Sequence, residues 1–278
     1  MEDLLEFSLN YATGLGADYT EARFQSDIGE SIILKNHIPE ASLFHEKKGI
    51  SIRVVFKGSL GFGSTSKITR REARNVAKRA FNISKAAARV LHRGVAMGGG
   101  DLGKGDVTVK PRVKPSYVDV DSRIELLREA DIRAEEAAKE AGAKLPARFF
   151  TLDTRNTEKI VMTSDGAKVS SSIPRVALFA FLTAYDPEKG TAQRYLNLGE
   201  AAGWEAVERW NLCKLMNDEV FSLAKTLREA KSPPKGEMDI VLGPEVVGIV
   251  SHESCGHPGE ADRILGREAA QAGETYLK

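Results

Sequence analysis

The chain has 278 residues, 42% hydrophobic and 28% charged, and its 40 basic and 39 acidic residues leave a formal net charge of +1. That is a globular composition with length for about two domains; it gives no overall electrostatic instruction towards nucleic acid or acidic membranes. Two cysteines, Cys213 and Cys255, are too few for a disulfide framework, the start Met1-Glu2-Asp3 is acidic where a signal peptide would be basic, and no apolar run reaches membrane-span length, so a reducing cytoplasm is the expected compartment.

Leu4, Leu5, Phe7, Leu9 and Ala12 recur at near-helical spacing and stop at Gly14, which predicts a first helix covering a sheet. Strands follow at 18–26, 30–36, 40–46, 49–57 and 59–64, separated by Gly, Pro, Asn and Lys. The gaps are too short for crossover elements, so the strands form an antiparallel meander. Thr69-x-x-Glu72 is a capping box, and the apolar stripe Ala73, Val76, Ala77 and Ala80 predicts a helix over 70–90.

The opposite face of that helix is basic. Lys67, Arg70, Arg71, Arg74, Lys78, Arg79, Lys85, Arg89 and Arg93 are interrupted by one acid, Glu72. Such a row can track phosphates, so 67–93 carries an alternative reading as a nucleic-acid-binding element. The near-neutral chain, and the lack of aromatic residues alternating with the cations, favour a solvated face.

Residues 94–115, with Gly98-Gly99-Gly100, Gly103, Gly105, Pro111 and Pro115, read as a linker or flap between an α+β domain at 1–93 and a middle α+β domain at 116–231. The glycines lack the Gly-Lys-Ser/Thr ending of a phosphate loop. Ser122-x-x-Glu125 opens a helix ended by Gly142; strands at 149–156, 158–164, 167–172, 175–186 and 193–198 then predict a second antiparallel sheet, with Asp165-Gly166 as a hairpin turn. One long helix from Trp204 to Ala230 ends at Ser232-Pro233-Pro234-Lys235-Gly236. The expected class is α+β, antiparallel sheets packed with long helices in two to three subdomains, with a metal-site helix near the carboxyl end.

That last region, 236–278, carries the chemistry. His252-Glu253-Ser254-Cys255-Gly256-His257 supplies two imidazoles as metal ligands and, in Glu253, a base. In the common H-E-x-x-H form the histidines are four apart on one helix face. Here they are five apart, and a regular α-helix would turn the second ring about 140° from the first. The helix has to widen by one residue, as a π-bulge, or end at His257. Gly256 offers unusual dihedrals, and Pro258 disfavours helical geometry at the residue before it. Upstream, 238–242 reads as a short buried strand and Gly243-Pro244 as the turn into a buried helix bearing Val246, Val247, Ile249 and Val250. Ser251, His252 and Glu253 are adjacent and cannot all face one another, which argues against a serine triad.

Residues 242–262 carry H-E-x-x-x-H-x-x-E-x-D and resemble the central motif of the TldD/PmbA family of zinc peptidases; Ala202-Gly203-Trp204-Glu205 also resembles the family's middle region. The resemblance implies Zn2+ held by His252 and His257, Glu253 as general base, and unfolded peptides or peptide precursors as substrates. It further implies a homodimer, or a heterodimer with a related subunit. The family's site is completed by a cysteine in a carboxy-terminal domain. Either these residues are a piece of the enzyme, or that domain is a separate polypeptide, or Cys255, Glu260 or Asp262 substitutes; for Glu260 and Asp262 an orienting role behind a ligand is preferred. A noncatalytic assembly subunit of such a complex is the alternative.

Overall fold

Strand β1 (Tyr19–Lys35) is the axis of the larger part of the molecule, because it is paired along nearly its whole length on both sides. The structure is a computed structural model that describes residues 1–91, 94–97, 103–264, 266 and 275–277. Arg93 and the Gly98-Gly99-Gly100 run lie outside the described residues. Two units are distinguished, Met1–Ala230 and Lys231–Lys278.

In the first unit the order is α1 (Glu2–Gly14), β1, β2 (Ile38–Phe56), β3 (Ser59–Thr65), α2 (Arg70–Ala87), β4 (Lys104–Thr108), a 3-10 turn Pro115–Tyr117, α3 (Val120–Glu140), β5 (Lys144–Thr163), β6 (Lys168–Asp186), β7 (Gly190–Glu200), α4 (Trp204–Trp210) and α5 (Leu212–Glu229). The two expected sheets are one. Its order is β3-β2-β1-β5-β6-β4, with β7 also on β6; all pairs are antiparallel except β4 on β6. Residues 1–93 and 116–231 therefore share a sheet through the β1·β5 ladder, from Glu21↔Thr163 to Lys35↔Phe149.

Strand lengths account for the difference. Polar stretches that look like turns are accommodated inside strands: Asp27 accepts from the Thr157 hydroxyl at 2.7 Å across the β1·β5 pair. The first true reversal comes at Asn36-His37, both at positive φ (46° and 69°), as a two-residue type I′ hairpin requires. Pro174 lies inside β6 without costing a ladder bond. The Ser172 carbonyl accepts from Val109 N at 3.0 Å, so Ser172, and by alternation Pro174, faces the β4 side, where pairing with β4 has ended and pairing with β7 begins only at Val176.

The helices follow from the period-2 pattern. Even-numbered Ala22, Phe24, Ile50, Ile52 and Val54 are buried with Leu5 and Leu9 of α1 and Val76 and Phe81 of α2. Further along the same face Ile32, Leu34, Phe150, Leu152, Leu178 and Leu182 are buried with Leu127 of α3 and Met216 and Leu223 of α5. Each such side chain contributes about 1.5–3 kcal/mol of burial. Two cores thus sit side by side on one face of a shared sheet.

Three local departures from expectation have plain causes. The cap of α3 is Asp119, which accepts from Ser122 N at 2.8 Å and Ser122 Oγ at 2.7 Å, so the helix begins two residues before the Ser122 box. The single helix expected at Trp204–Ala230 is broken at Asn211, whose φ of 48° is left-handed and whose side chain caps α5 through Lys214 N. The expected linker includes β4 and is then clamped: Glu205 accepts from Arg112 N, Val113 N and Gly203 N at 3.2, 3.0 and 3.1 Å. Among the described residues no helix is long and apolar enough to cross a membrane.

Candidate metal centre

In the second unit Gly243 leads into α6 (Pro244–Ser251) with proline at its first position, where the missing N–H costs nothing. The residues before it are not the buried strand expected. Residues 238–242 are extended but pair with no described strand, and Val241 is 98% exposed. Nor is α6 buried: Val246, Val247, Ile249 and Val250 are each roughly half exposed among the described residues. These residues are hydrophobic, but a strand needs a ladder partner and a buried helix needs a covering layer.

At His252 the helix changes pitch. His252–Gly256 is a π-turn, closed by a bond from His257 N to the His252 carbonyl at 3.1 Å, five residues apart. Of the two devices open to this spacing, the chain uses the wider turn. Gly256 is not in the left-handed region, so the widening does not draw on glycine's freedom. After His257 the chain turns through Pro258 and Gly259 into α7 (Ala261–Ile264).

The wider turn brings the two imidazoles together, with centroids 4.5 Å apart and planes at 84°. One donor atom from each of His252, Glu253 and His257 lies within 4.8 Å of the others, and no other group of three such residues clusters this way among the described residues. The Glu253 carboxylate is 3.7 Å from His257 Nε2, with its side chain 63% exposed and open to water. His257 Nδ1 is 2.8 Å from Glu260 Oε1, and Arg263 Nε is 3.2 Å from the other Glu260 oxygen. A proton on Nδ1 donated to Glu260 leaves the Nε2 lone pair free on the Glu253 side.

The remaining candidates are placed differently. Cys255 is exposed and does not join the cluster. Asp262 accepts from Arg263 N at 3.0 Å and touches neither imidazole. Contacts not anticipated from sequence hold the turn from outside: Tyr276 Oη donates to the Ser254 carbonyl at 2.5 Å, and Thr275 Oγ1 to the Pro258 carbonyl at 2.6 Å. Sequence separation hid those two; the Glu260-x-x-Arg263 pair had a readable i,i+3 signal.

The donor set fits a zinc ion. Two nitrogens on one tetrahedral zinc lie about 3.3 Å apart, given bonds of about 2.0–2.1 Å, so rotation of side chains already within 4.8 Å suffices. A carboxylate on the far ring nitrogen is the usual support for such a ligand.

Comparison with known proteins places the first unit in a family. Residues 20–84 match the family described as PmbA/TldA metallopeptidase domain 1, and residues 113–231 match the PmbA/TldA metallopeptidase central domain. A metalloprotease of Methanothermobacter thermautotrophicus is 26% identical over 261 residues, covering 94% of this chain and 54% of the relative. A zinc metalloprotease TldD homologue of Saccharolobus solfataricus is 24% identical over 258 residues, covering 91% and 53%. The chain spans about half the length of the curated relatives it matches over most of its own length. Among solved structures, a Thermotoga maritima protein described as a modulator of a DNA gyrase superposes with a TM-score of 0.61 at 18% identity, over 84% of this chain and 50% of that one. TldE from Thermococcus kodakarensis superposes with a TM-score of 0.57 at 11% identity, over 81% and 47%. At these identities the structures show a shared fold.

Proposed function

Because the chain belongs to the PmbA/TldA metallopeptidase family, we propose that it is a zinc-dependent peptidase, or the zinc-binding half of one, whose substrates are unfolded peptides or peptide precursors. The observation that carries this reading is the π-turn, which gathers His252, Glu253 and His257 within 4.8 Å. The metalloprotease names of the relatives support the same class of reaction.

In this reading His252 and His257 hold the ion, and Glu260 fixes the ring of His257. Zinc, when bound, supplies Lewis-acid polarisation of the scissile carbonyl. Glu253 takes a proton from the attacking water at its carboxylate and passes it to the departing amine; its exposure leaves room for both water and peptide. A catalytic zinc ordinarily has three protein ligands. Glu260 is engaged with His257, Asp262 with Arg263 N, and Cys255 stands outside the cluster, which supports a third ligand beyond 252–262 in this reading.

Association with a second, related subunit is part of the proposal. The half-exposed valines and isoleucine of α6 leave an apolar surface that such a subunit, or further chain, can cover. Both cysteines are free thiols, in keeping with work in the cytoplasm.

The test is Glu253→Gln, assayed on an unstructured fluorogenic peptide alongside zinc content. Retained zinc with cleavage reduced about 10²–10⁴-fold is expected of a lost general base. Undiminished cleavage in that variant sinks the mechanism.

A further inference from the structure

Helix α2 presents a cation cluster that the metal centre does not use. Arg70, Arg71, Arg74, Lys78 and Lys85 are all exposed, and at about 100° per residue they fall within one arc of about 100°. Several arginines elsewhere are matched: Arg123 pairs with Glu30, Arg148 with Asp131, Arg209 with Glu200 and Arg263 with Glu260. On α2 they are not. Among the described residues Arg71 approaches only the Glu72 carboxylate, at 3.5 Å, and no carboxylate is within ion-pairing distance of Arg70, Arg74, Lys78 or Lys85. Like charges one turn apart repel, so a helix carrying Arg70, Arg74 and Lys78 at i,i+4 is strained electrostatically until an anion meets it.

Between these cations the sequence offers one aromatic residue, the buried Phe81, and the fold brings two more from another element. Phe7 and Tyr11 of α1 stack on each other at 6.1 Å. The Arg70 guanidinium lies over Phe7 at 4.6 Å, and that of Arg74 lies 5.7 Å from Phe7 and 5.6 Å from Tyr11. A guanidinium resting on a ring loses side-chain freedom, while the N–H groups at its edge stay open to an oxyanion. Arginine's planar fork suits phosphate, and its exposed plane is also a surface on which a base stacks.

We propose that α2, with Phe7 and Tyr11 beneath it, is a docking surface for the sugar–phosphate backbone of a nucleic acid, read without sequence preference. Arg70, Arg74 and Lys78, one per helical turn, contact successive phosphates, and Arg71 and Lys85 flank the row. The surface lies wholly within the unit Met1–Ala230.

Fluorescence anisotropy with a labelled 20-nucleotide single strand, and with the matching duplex, tests this between 50 and 200 mM salt. Three to four phosphate contacts predict a slope of log K against log salt of about −2 to −4. The variant Arg70→Gln/Arg74→Gln/Lys78→Gln, confirmed folded by circular dichroism, is expected to bind at least about tenfold more weakly at 50 mM salt and to lose about two to three units of slope. Lys47→Gln/Lys48→Gln, on β2, is expected to bind as the parent does. Binding to either form that follows this pattern supports the proposal, the tighter form naming the ligand. No binding to either at 50 mM salt, a triple variant that binds normally, an equal loss in the β2 variant, or displacement by polyglutamate as effective as by oligonucleotide would each overturn it.

Discussion

His257 and Glu260 meet at 2.8 Å, ring Nδ1 to carboxylate Oε1, one turn apart at the exit of the π-turn. The contact selects which ring nitrogen faces the cluster. Glu260→Gln is therefore expected to weaken zinc binding about 10–100-fold in chelator competition. Asp262→Asn, which touches neither imidazole, is expected to leave it unchanged. Equal losses in the two would show that Glu260 has no special part in orienting the ring.

Gly256 sits in the π-turn with ordinary backbone angles, and a Cβ built there meets nothing within 4 Å. Gly256→Ala should keep zinc stoichiometry and leave stability unchanged or raised by about 0.4–1 kcal/mol in urea unfolding, through the smaller entropy of the unfolded chain. A clear destabilisation would mean that the turn passes through a geometry alanine cannot follow.

Asp131 is fully buried on α3 and pairs with Arg148 of β5, whose side chain is 7% exposed and which also donates to the Leu145 carbonyl at 2.7 Å. The same carboxylate accepts from His37 N in the first hairpin turn at 2.5 Å. Asp131→Ala leaves the buried Arg148 guanidinium with only the more distant Glu135 carboxylate, 3.6 Å away, and should cost about 3 kcal/mol by denaturant unfolding. Asp131→Leu with Arg148→Met removes both charges and should cost markedly less.

Glu205 and Glu135 predict the acid limb of stability. Partial burial pulls the Glu205 carboxyl up, but hydrogen bonds from Val113 N, its own N–H, Arg112 N and Gly203 N outweigh it and hold the group at about 2. Glu135 is also held at about 2, first by its hydrogen bond with His37 and then by that with Lys139, against the pull of burial. Both values lie below the ordinary 4.5, so the unfolded chain binds protons first as pH falls. Their stabilisation is complete above about pH 4.5 and is lost progressively towards pH 2. Melting temperature followed across that window should fall, and Glu205→Gln should flatten the fall while lowering stability at pH 7 by about 1–3 kcal/mol.

The legible parts were those whose cause is local. The Thr69 cap reappears with its hydroxyl accepting from Glu72 N at 3.2 Å, Leu5, Leu9 and Ala12 of the α1 stripe are buried with Leu4 and Phe7 partly so, and the five-residue histidine spacing demanded the altered pitch found at His252. What escaped depended on partners far along the chain. Neither the joining of two sheets through β1 and β5, nor Glu205 seizing Arg112 and Val113, has a signature within a short window. The exposed 238–242 segment fails in the opposite sense: its residues favour a strand, but propensity alone supplies no neighbour.

The pairing of β1 with β5 has a consequence for synthesis. As the chain leaves the ribosome, β1, β2 and β3 emerge together and can form their meander, but the other edge of β1 waits for residues 144–163, more than a hundred codons later. Until then a strand bearing Ile28, Ile32 and Ile33 offers unpaired amides and carbonyls to any passing polypeptide. Slow translation between the meander and β5 should therefore raise the aggregated fraction of the nascent protein without altering a single contact of its finished form.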